Sequence, residues 1–342
     1  MVKSLVKRVE AGAILTRAQA EEIMDELLSG RVDTPEIVRL LTALNTRPYQ
    51  LEEVVGFARA MRRHAAPVFP AGEDRPKNMV DTCGTGGDRT KMFNVSTAAA
   101  IVAAAAGARV AKHGNRRSDG AGSGSADVLE ALGVRIDGPV EHAGRAIREI
   151  GIGFLFARSA HAAARHAAPA RKQIGARTVF NVLGPLTNPA GAQNQVLGVF
   201  SGEIIELMAA ALAELGVERA FVVRGAGDIG EFSLAGETMI AEVKKGTVQH
   251  YAVTPEDFGV SRAPLDSLVS GTAAENAARI CGIFGGEAGP ARDIVIVNAA
   301  AALVAVGRAK NFREGAKLAG EAISSGAAEK KLAVLVEFTR QS

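Results

Sequence analysis

The fold of this 342-residue chain turns on one stretch, MVDTCGTGGDRTKMFNVST, residues 79–97. A short apolar run, Met79 to Cys83, leads into a glycine-rich turn that ends in Asp88, and a helix start follows from Asn94. Gly84, Gly86 and Gly87 let backbone N–H groups approach a ligand without a Cβ in the way, and a helix N-terminus beside them favours an anion. Ser96 and Thr97 add hydroxyls and Asn94 an amide; Asp88 makes sense there if Mg2+ or a ribose hydroxyl is also present. The loop is neither common nucleotide motif: the dinucleotide pattern fails at Arg89, and no Gly-Lys-Ser/Thr closes a P-loop. Taken alone, it is equally compatible with an anion cradle and with a tight, aspartate-capped turn.

Outward from this stretch the grammar changes. Residues 1–65 read as helices only: Thr16 and Gln19 form a capping box ahead of AEEIMDELLSG, Gly30 ends that helix, and Thr34-Pro35-Glu36 starts the next. A third helix runs from about Leu51 to His64, and Pro67, Pro70 and Pro76 mark a linker. Beyond Met79, short apolar runs (MVDTC, ARVAKH, QVLGVF, AFVVRG) alternate with helical stretches (VSTAAAIVAAAAG, SADVLEALG, EIIELMAAALAELG). That alternation predicts β-α units on a mainly parallel central sheet with surrounding helices. The expected architecture is α/β: a small all-helical domain over 1–70, joined by part of 158–180, and a larger α/β domain over 71–342.

Composition sets bounds on function. Side chains are 47% hydrophobic but only 4% aromatic, without Trp, so packing must rest on Ala, Val, Leu, Ile and the 38 Gly. A net charge of +3 favours anionic small molecules at local sites and is too weak to argue for nucleic acid. Two cysteines, Cys83 and Cys281, make no disulfide framework, no apolar run is long enough for a membrane span, and the basic N-terminus lacks a signal peptide's apolar core. A cytoplasmic protein without membrane contact is expected. Cys83 has no histidine partner in sequence reach and reads as packing; His161 and His166 miss the helical metal spacing; His64, His142 and His250 carry no motif. The run RAMRRH, residues 59–64, reads as an exposed helix face.

Two further segments weight the first loop toward ligand binding. ARVAKHGNR, residues 108–116, is a strand ending in Lys112, His113, Asn115 and Arg116, polar groups at a carboxyl end where α/β sheets bind ligands. GSGSADVLEALG enters a helix at Ser125. RKQIGARTVFNVLGPLTNPAG, residues 171–191, sets Arg171 and Lys172 before a strand or extended segment and a proline-rich turn.

Together GTGGD (Gly84–Asp88), N-x-S-T (Asn94–Thr97), KHGNR (Lys112–Arg116), GSADVLEALG (Gly124–Gly133) and R-T-x-F-N-x-L-G-P-L-x-N-P (Arg177–Pro189) resemble the anthranilate phosphoribosyltransferase family, of the nucleoside phosphorylase and phosphoribosyltransferase fold. The resemblance spans most of the chain, in order. It implies transfer of phosphoribosyl from 5-phosphoribosyl-1-diphosphate to the amine of anthranilate, with Mg2+ and loss of pyrophosphate, the second step of tryptophan biosynthesis, by a homodimer. It implies that Gly84, Thr85, Gly86, Gly87, Asp88, Asn94, Val95, Ser96, Thr97, Lys112, His113, Gly114, Asn115, Arg116 and Ser125 bind the diphosphate substrate. Gly84, Asn115, His161 and Arg171 would bind anthranilate, and Ser96 and Glu231 the metal. No catalytic nucleophile is assigned, because departure of pyrophosphate requires charge neutralisation and positioning.

Three departures from the family pattern stand out. The loop RSDGAGSGSAD after Arg116 carries an extra residue and Asp119; Met92 replaces a Thr or Ser; and in VVRGAGDIGEFSL, Arg224 and Gly230 stand for the His and Asp of H-G-x-x-G-L-D-E, leaving Glu231 without its acidic neighbour. Asp228, two residues upstream of Gly230, is a candidate substitute if the loop shifts. Weaker binding of a second metal is expected. The rival reading is a family paralogue that lost the activity and binds nucleic acid through its basic surface; a nucleoside phosphorylase fits the motifs less well.

Overall fold

The computed structural model describes residues 2–86, 92–117, 123–269 and 271–341. Four amphipathic helices open the chain: α1 (Val2–Glu10), α2 (Arg17–Leu28), α3 (Thr34–Leu44) and α4 (Leu51–Arg63). The Thr16–Gln19 capping box forms as the sequence predicts, and Gly30 just past the end of α2 takes a φ of 73°. α3 starts at Thr34 as the sequence predicts; Asp33 is its cap, its side chain accepting from the Glu36 N–H at 2.9 Å, and Pro35 sits in the first turn. Glu53, 1% exposed, is held by Arg47 at 2.6 Å and accepts from the Leu15 N–H at 2.9 Å, so one buried carboxylate ties the first turn of α4 to the segment that leads into α2.

The larger layer is a seven-stranded sheet in the order β3-β2-β1-β4-β5-β6-β7, built from Met79–Gly84, Arg109–Gly114, Ile152–Phe156, Asn194–Gly198, Arg219–Gly225, Thr238–Lys244 and Thr247–Val253 for β1 to β7. β1 to β5 run parallel; β6 and β7 close the edge as an antiparallel hairpin. From β1 the chain first builds outward to β2 and β3, then returns to place β4 on the other side of β1. The strand order reverses there, and a reversal opens a crevice at the carboxyl ends of the two neighbours.

Small side chains let helices lie close on the sheet. α5 (Val95–Ala105) is buried along nearly its whole length and packs against an equally buried helix, Pro290–Ala305. The helices that carry residues 157–174 return to the bundle, where Ala168–Ile174 packs on α3. Residues 177–183, read as a strand or extended segment, are instead a helical turn at Phe180–Leu183: Asn181 Oδ1 accepts from the Thr178 N–H at 3.0 Å, and Gly184-Pro185 stops the turn after four residues. Arg62, on α4, donates to the carbonyls of Leu186 and Leu215 at 2.9 and 3.1 Å, tying the bundle to the proline-rich turn and to the end of helix Ile205–Glu214. No helix among the described residues is long and apolar enough to cross a membrane.

One close approach shapes the crevice. The Gly230 carbonyl lies against the Cα of Gly198, in the space that any Cβ at 198 would take. Gly198→Ala is expected to push the 225–231 loop outward and destabilise the protein by about 1–3 kcal/mol, as overpacked sites do, measured by equilibrium urea unfolding.

Candidate active site

The crevice between β1 and β4 is lined by Thr82, Cys83, Ser96, Gly198, Gly230, Glu231 and Asn298. β1 delivers Thr82 and Cys83, the first turn of α5 delivers Ser96, and the loop after β5 delivers Glu231. The strand-to-helix turn is pinned by Thr82 Oγ1, which donates to the Ser96 carbonyl at 2.9 Å. From the neighbouring β2, Lys112 reaches across: its Nζ donates to the Thr82 carbonyl at 2.6 Å and lies 3.4 Å from Ser96 Oγ. An ammonium, a hydroxyl and a carboxylate thus converge on one cleft.

Beneath them lies Asp81, fully buried in the middle of the sheet. Its Oδ1 accepts from the His113 N–H at 3.0 Å and its Oδ2 from Asn188 Nδ2 at 2.8 Å. Burial pushes the Asp81 carboxyl up and the Lys112 ammonium down, and each charge opposes the other's shift. Asn188 also donates to the Ala111 carbonyl at 2.8 Å and accepts from the Ala190 N–H at 3.0 Å, so the 184–189 turn is locked to the ends of β1 and β2. Cys83 accepts from Gln195 Nε2 at 2.9 Å, and burial together with Asp81 pushes its thiol well above the usual range, which makes it packing and not a nucleophile.

The other half of the site is aromatic and neutral. The rings of His113 and His161, both more than nine-tenths buried, stand 5.1 Å apart, and the Nε2 of each is buried without a hydrogen-bond partner. Burial lowers His113 to about 3, helped by His161, and His161 to about 4. Arg171 is half-buried with its guanidinium 5.3 Å from the Phe180 ring centroid. No Asp or Glu occurs from Ile150 to Gly202, whereas Arg158, Arg165, Arg171, Lys172 and Arg177 do. Among the described residues Arg158, Arg165, Arg171 and Lys172 form no ion pair, in contrast to Arg63, Arg59 and His64 of the RAMRRH run, which are taken up by Glu21 and Asp25 of α2. That run lines a wide surface groove whose charges cancel one another, which leaves it no cationic face for nucleic acid.

Of the other residues singled out from sequence, Gly87 and Asp88 lie outside the described residues, as does the 118–122 part of the departing loop with Asp119. Gly84 and Gly86 are exposed at the crevice rim, Gly86 with a φ of 67°. Thr85 Oγ1 accepts from the Phe200 N–H at 3.0 Å, fastening the loop to the end of β4. Val95 is core; Thr97 is buried with its hydroxyl unpartnered. Asn94 Oδ1 accepts from Ser123 Oγ at 3.0 Å and from Asn276 Nδ2 at 3.1 Å. Gly114 lets Ser125, the first residue of α6 (Ser125–Ala131), press onto the end of β2, and Ser125 Oγ lies 3.5 Å from the Asn115 carbonyl. Asn115 is exposed, its Oδ1 accepting from the Arg116 N–H at 2.8 Å. The Arg116 guanidinium turns to Asp127 at 3.0 Å and Glu130 at 2.8 Å.

Sequence reasoning missed the amides. Asn276 joins Asn94 to Ser123, and Asn298 brackets Phe232, accepting from its N–H at 3.0 Å and donating to its carbonyl at 3.1 Å, which fixes the backbone next to Glu231. Among the departures, Met92 forms an isolated bridge with Val269 and packs against the core. Asp228 does not replace the missing acid: its side chain is 72% exposed and pairs with Arg224 at 3.3 Å. Ser96 and Glu231 offer one hydroxyl and one carboxylate to the same cleft, all-oxygen donors that suit a hard divalent cation sharing its shell with water and phosphate.

Comparison with known proteins places this architecture. A glycosyl transferase helical bundle domain matches residues 3–65 and a glycosyl transferase a/b domain residues 76–329. Anthranilate phosphoribosyltransferases of Desulforamulus reducens and Rubrobacter xylanophilus are each 47% identical, over 99% and 100% of this chain and 97% and 98% of theirs. The crystal structure of the Thermus thermophilus anthranilate phosphoribosyltransferase superposes with a TM-score of 0.91 at 46% identity, covering 98% of this chain and 99% of that one. The Saccharomyces cerevisiae enzyme in complex with PRPP and Mg superposes at 0.89 with 27% identity, over 100% of this chain and 98% of that one. Fold and crevice define a glycosyl transferase with a helical bundle and an α/β domain. Within that class, the chain belongs to the anthranilate phosphoribosyltransferase family.

The buried histidines make stability pH-dependent. Their folded values lie below the ordinary value of about 6.5, so the unfolded chain takes up protons first as pH falls. Stability should be complete above about pH 6.5 and drop by roughly 3–4 kcal/mol between pH 7 and pH 5 from this pair. His161→Gln is expected to remove about half of that loss, read from urea unfolding at the two pH values.

Proposed function

We propose that this chain transfers phosphoribosyl from 5-phosphoribosyl-1-diphosphate to the amine of anthranilate, releasing pyrophosphate and N-(5-phosphoribosyl)anthranilate, the second step of tryptophan biosynthesis from chorismate. The observation that carries the reading is the convergence of Ser96, Lys112 and Glu231 at the β1/β4 reversal, with His113 next to Lys112 on β2 and its buried, neutral ring 5.1 Å from that of His161. The Saccharomyces cerevisiae relatives in complex with PRPP and Mg and with 4-fluoroanthranilate support both substrates. We assign the diphosphate to the crevice, where the Lys112 ammonium and the N–H groups of the Gly84–Asp88 loop and α5 neutralise the leaving group. Ser96 and Glu231 hold Mg2+, which when bound offsets phosphate charge. Arg171 grips the anthranilate carboxylate, and the unpartnered Nε2 atoms of His113 and His161 accept from the amine. Gly84, which ends β1, and Asn115, which follows β2, are assigned to anthranilate as well.

The reaction needs little else. As pyrophosphate leaves, C1 of the ribose gains oxocarbenium character, and the aromatic amine attacks if it is unprotonated and in line. Lys112 stabilises charge that grows on the leaving oxygens, so its contribution rises toward the transition state. The division into a helical unit over 1–70, with part of 158–180, and an α/β unit over 71–342 would let the substrates enter between them. A cytoplasmic homodimer fits the family and the two free cysteines.

A steady-state assay of anthranilate consumption with 5-phosphoribosyl-1-diphosphate and Mg2+ decides: saturable turnover is expected, and salt-sensitive DNA binding without turnover would replace this reading by the paralogue. Lys112→Met should lower kcat by about 10²–10³, the cost of losing one preorganised charge donor. Arg171→Ala should instead raise KM for anthranilate by roughly 10–100-fold, as loss of a charged hydrogen bond does. Gly230→Asp restores the family's second carboxylate and should lower the Mg2+ concentration needed for half-maximal rate; an unchanged Mg2+ dependence and diphosphate KM would remove the weakened-metal account of Gly230.

A further inference from the structure

The end of β5 and the loop after it differ from the family pattern at Arg224, Asp228, Ile229 and Gly230, and two of those differences meet. Arg224, where the family has His, is 9% exposed at the end of β5, and its guanidinium donates to the Val199 carbonyl at 2.9 Å. Asp228, where the family pattern has Gly, keeps a glycine-like φ of 58° and pairs with Arg224 at 3.3 Å. A non-glycine residue at positive φ carries strain that only a compensating contact sustains, and aspartate is among the few side chains that tolerate it. Between them the loop closes on itself, with the Gly225 N–H donating to the Ile229 carbonyl at 2.9 Å. The next residues are Gly230, whose carbonyl lies on Gly198, and Glu231, which faces Ser96 in the crevice.

We propose that the Arg224–Asp228 pair is a positioning brace for Glu231: it ties the 225–231 turn to the ends of β4 and β5, so that the remaining carboxylate is presented to the cation at a fixed place. The inference rests on the phosphoribosyl-transfer reading. It also explains the charge balance of the loop. With Arg224 and Asp228 cancelling, Glu231 contributes a net single negative charge, where the family's His, Asp and Glu give two. Rigidity replaces the second carboxylate: a pre-placed ligand loses less on binding a cation than a mobile one.

The pair is open to solvent on the Asp228 side, so its worth is bounded. Exposed pairs contribute up to about 1 kcal/mol, which limits the effect to roughly threefold to fivefold in affinity. Asp228→Asn keeps the size and the tolerance of positive φ while removing the charge; Arg224→Gln removes the other partner. Mg2+ is titrated by calorimetry into protein saturated with 5-phosphoribosyl-1-diphosphate, without anthranilate, so that no turnover is read. Each single variant should weaken Mg2+ binding roughly threefold to fivefold with unchanged KM for anthranilate, and the double variant should be no weaker than either single one. Mg2+ affinity equal to that of the unsubstituted protein in both single variants overturns the brace, as do additive losses in the double variant. If the unsubstituted protein turns over but binds Mg2+ no better with the diphosphate than without, the brace is overturned and the transfer reading stands. If it neither binds the diphosphate nor turns over, both fail.

Discussion

A carboxylate buried in the middle of a sheet is the constraint on which this site depends. Asp81 is fully enclosed, and an isolated ion in such a place is prohibitively costly. The chain meets that cost with three partners from three places: the Lys112 charge and the His113 N–H from β2, and the Asn188 amide from the 184–189 turn. Removing any one leaves a buried polar group short, which is why the ends of β1 and β2 and the proline-rich turn behave as one body. With β2 paired to β1, Lys112 reaches the Thr82 carbonyl and lies beside Ser96 Oγ. Arg62 extends the same body to the helical bundle through the Leu186 carbonyl.

The reversal of strand order does the remaining work. Parallel strands leave their carboxyl ends on one side, and the change of direction at β1 separates the loops that would otherwise close over them. Into that gap come α5 with Ser96 and the β5 loop with Glu231, at a backbone separation that only Gly198 permits. Specific side chains therefore supply charge, while topology supplies space.

Much of this was legible in residues 79–97 and 108–116, because glycine loops and polar strand ends are local signals. β3 was not: IGFLF is a short apolar run between a helix and an Ala- and Arg-rich segment, and nothing local separates a buried strand from a helix turn there. β6 and β7 did carry a signal, Lys245-Gly246 between two alternating runs, and both residues take positive φ, 48° and 81°. Asn188, Asn276 and Asn298 were invisible, since an amide's value lies in partners far along the chain: Asn276 reaches Asn94, 182 positions away. The Arg116 guanidinium is held by Asp127 and Glu130 of the following helix, partners that the KHGNR motif does not announce. Polar Asp81 inside MVDTC was the one core clue available to a reader of sequence alone.

The site's two halves are electrostatically opposite for a chemical reason. The diphosphate brings negative charge that must be met by cations, and in the proposed assignment its half sets Lys112, opposed by the buried Asp81, beside the oxygen atoms of Ser96 and Glu231. The amine half has the reverse requirement. A protonated imidazole beside C1 would repel the positive charge that develops there and would compete for the amine's lone pair by donating to it. Burying His113 and His161 together solves both problems, because desolvation of each ring, with repulsion by His161 added at His113, keeps the pair neutral near pH 7. The accompanying effect is acid sensitivity of the fold, because both imidazoles take up protons more readily once the chain opens. Lys112 and the neutral His113 are consecutive residues of β2, and Asp81 serves both: its charge opposes the effect of burial on Lys112, and it accepts from the His113 N–H.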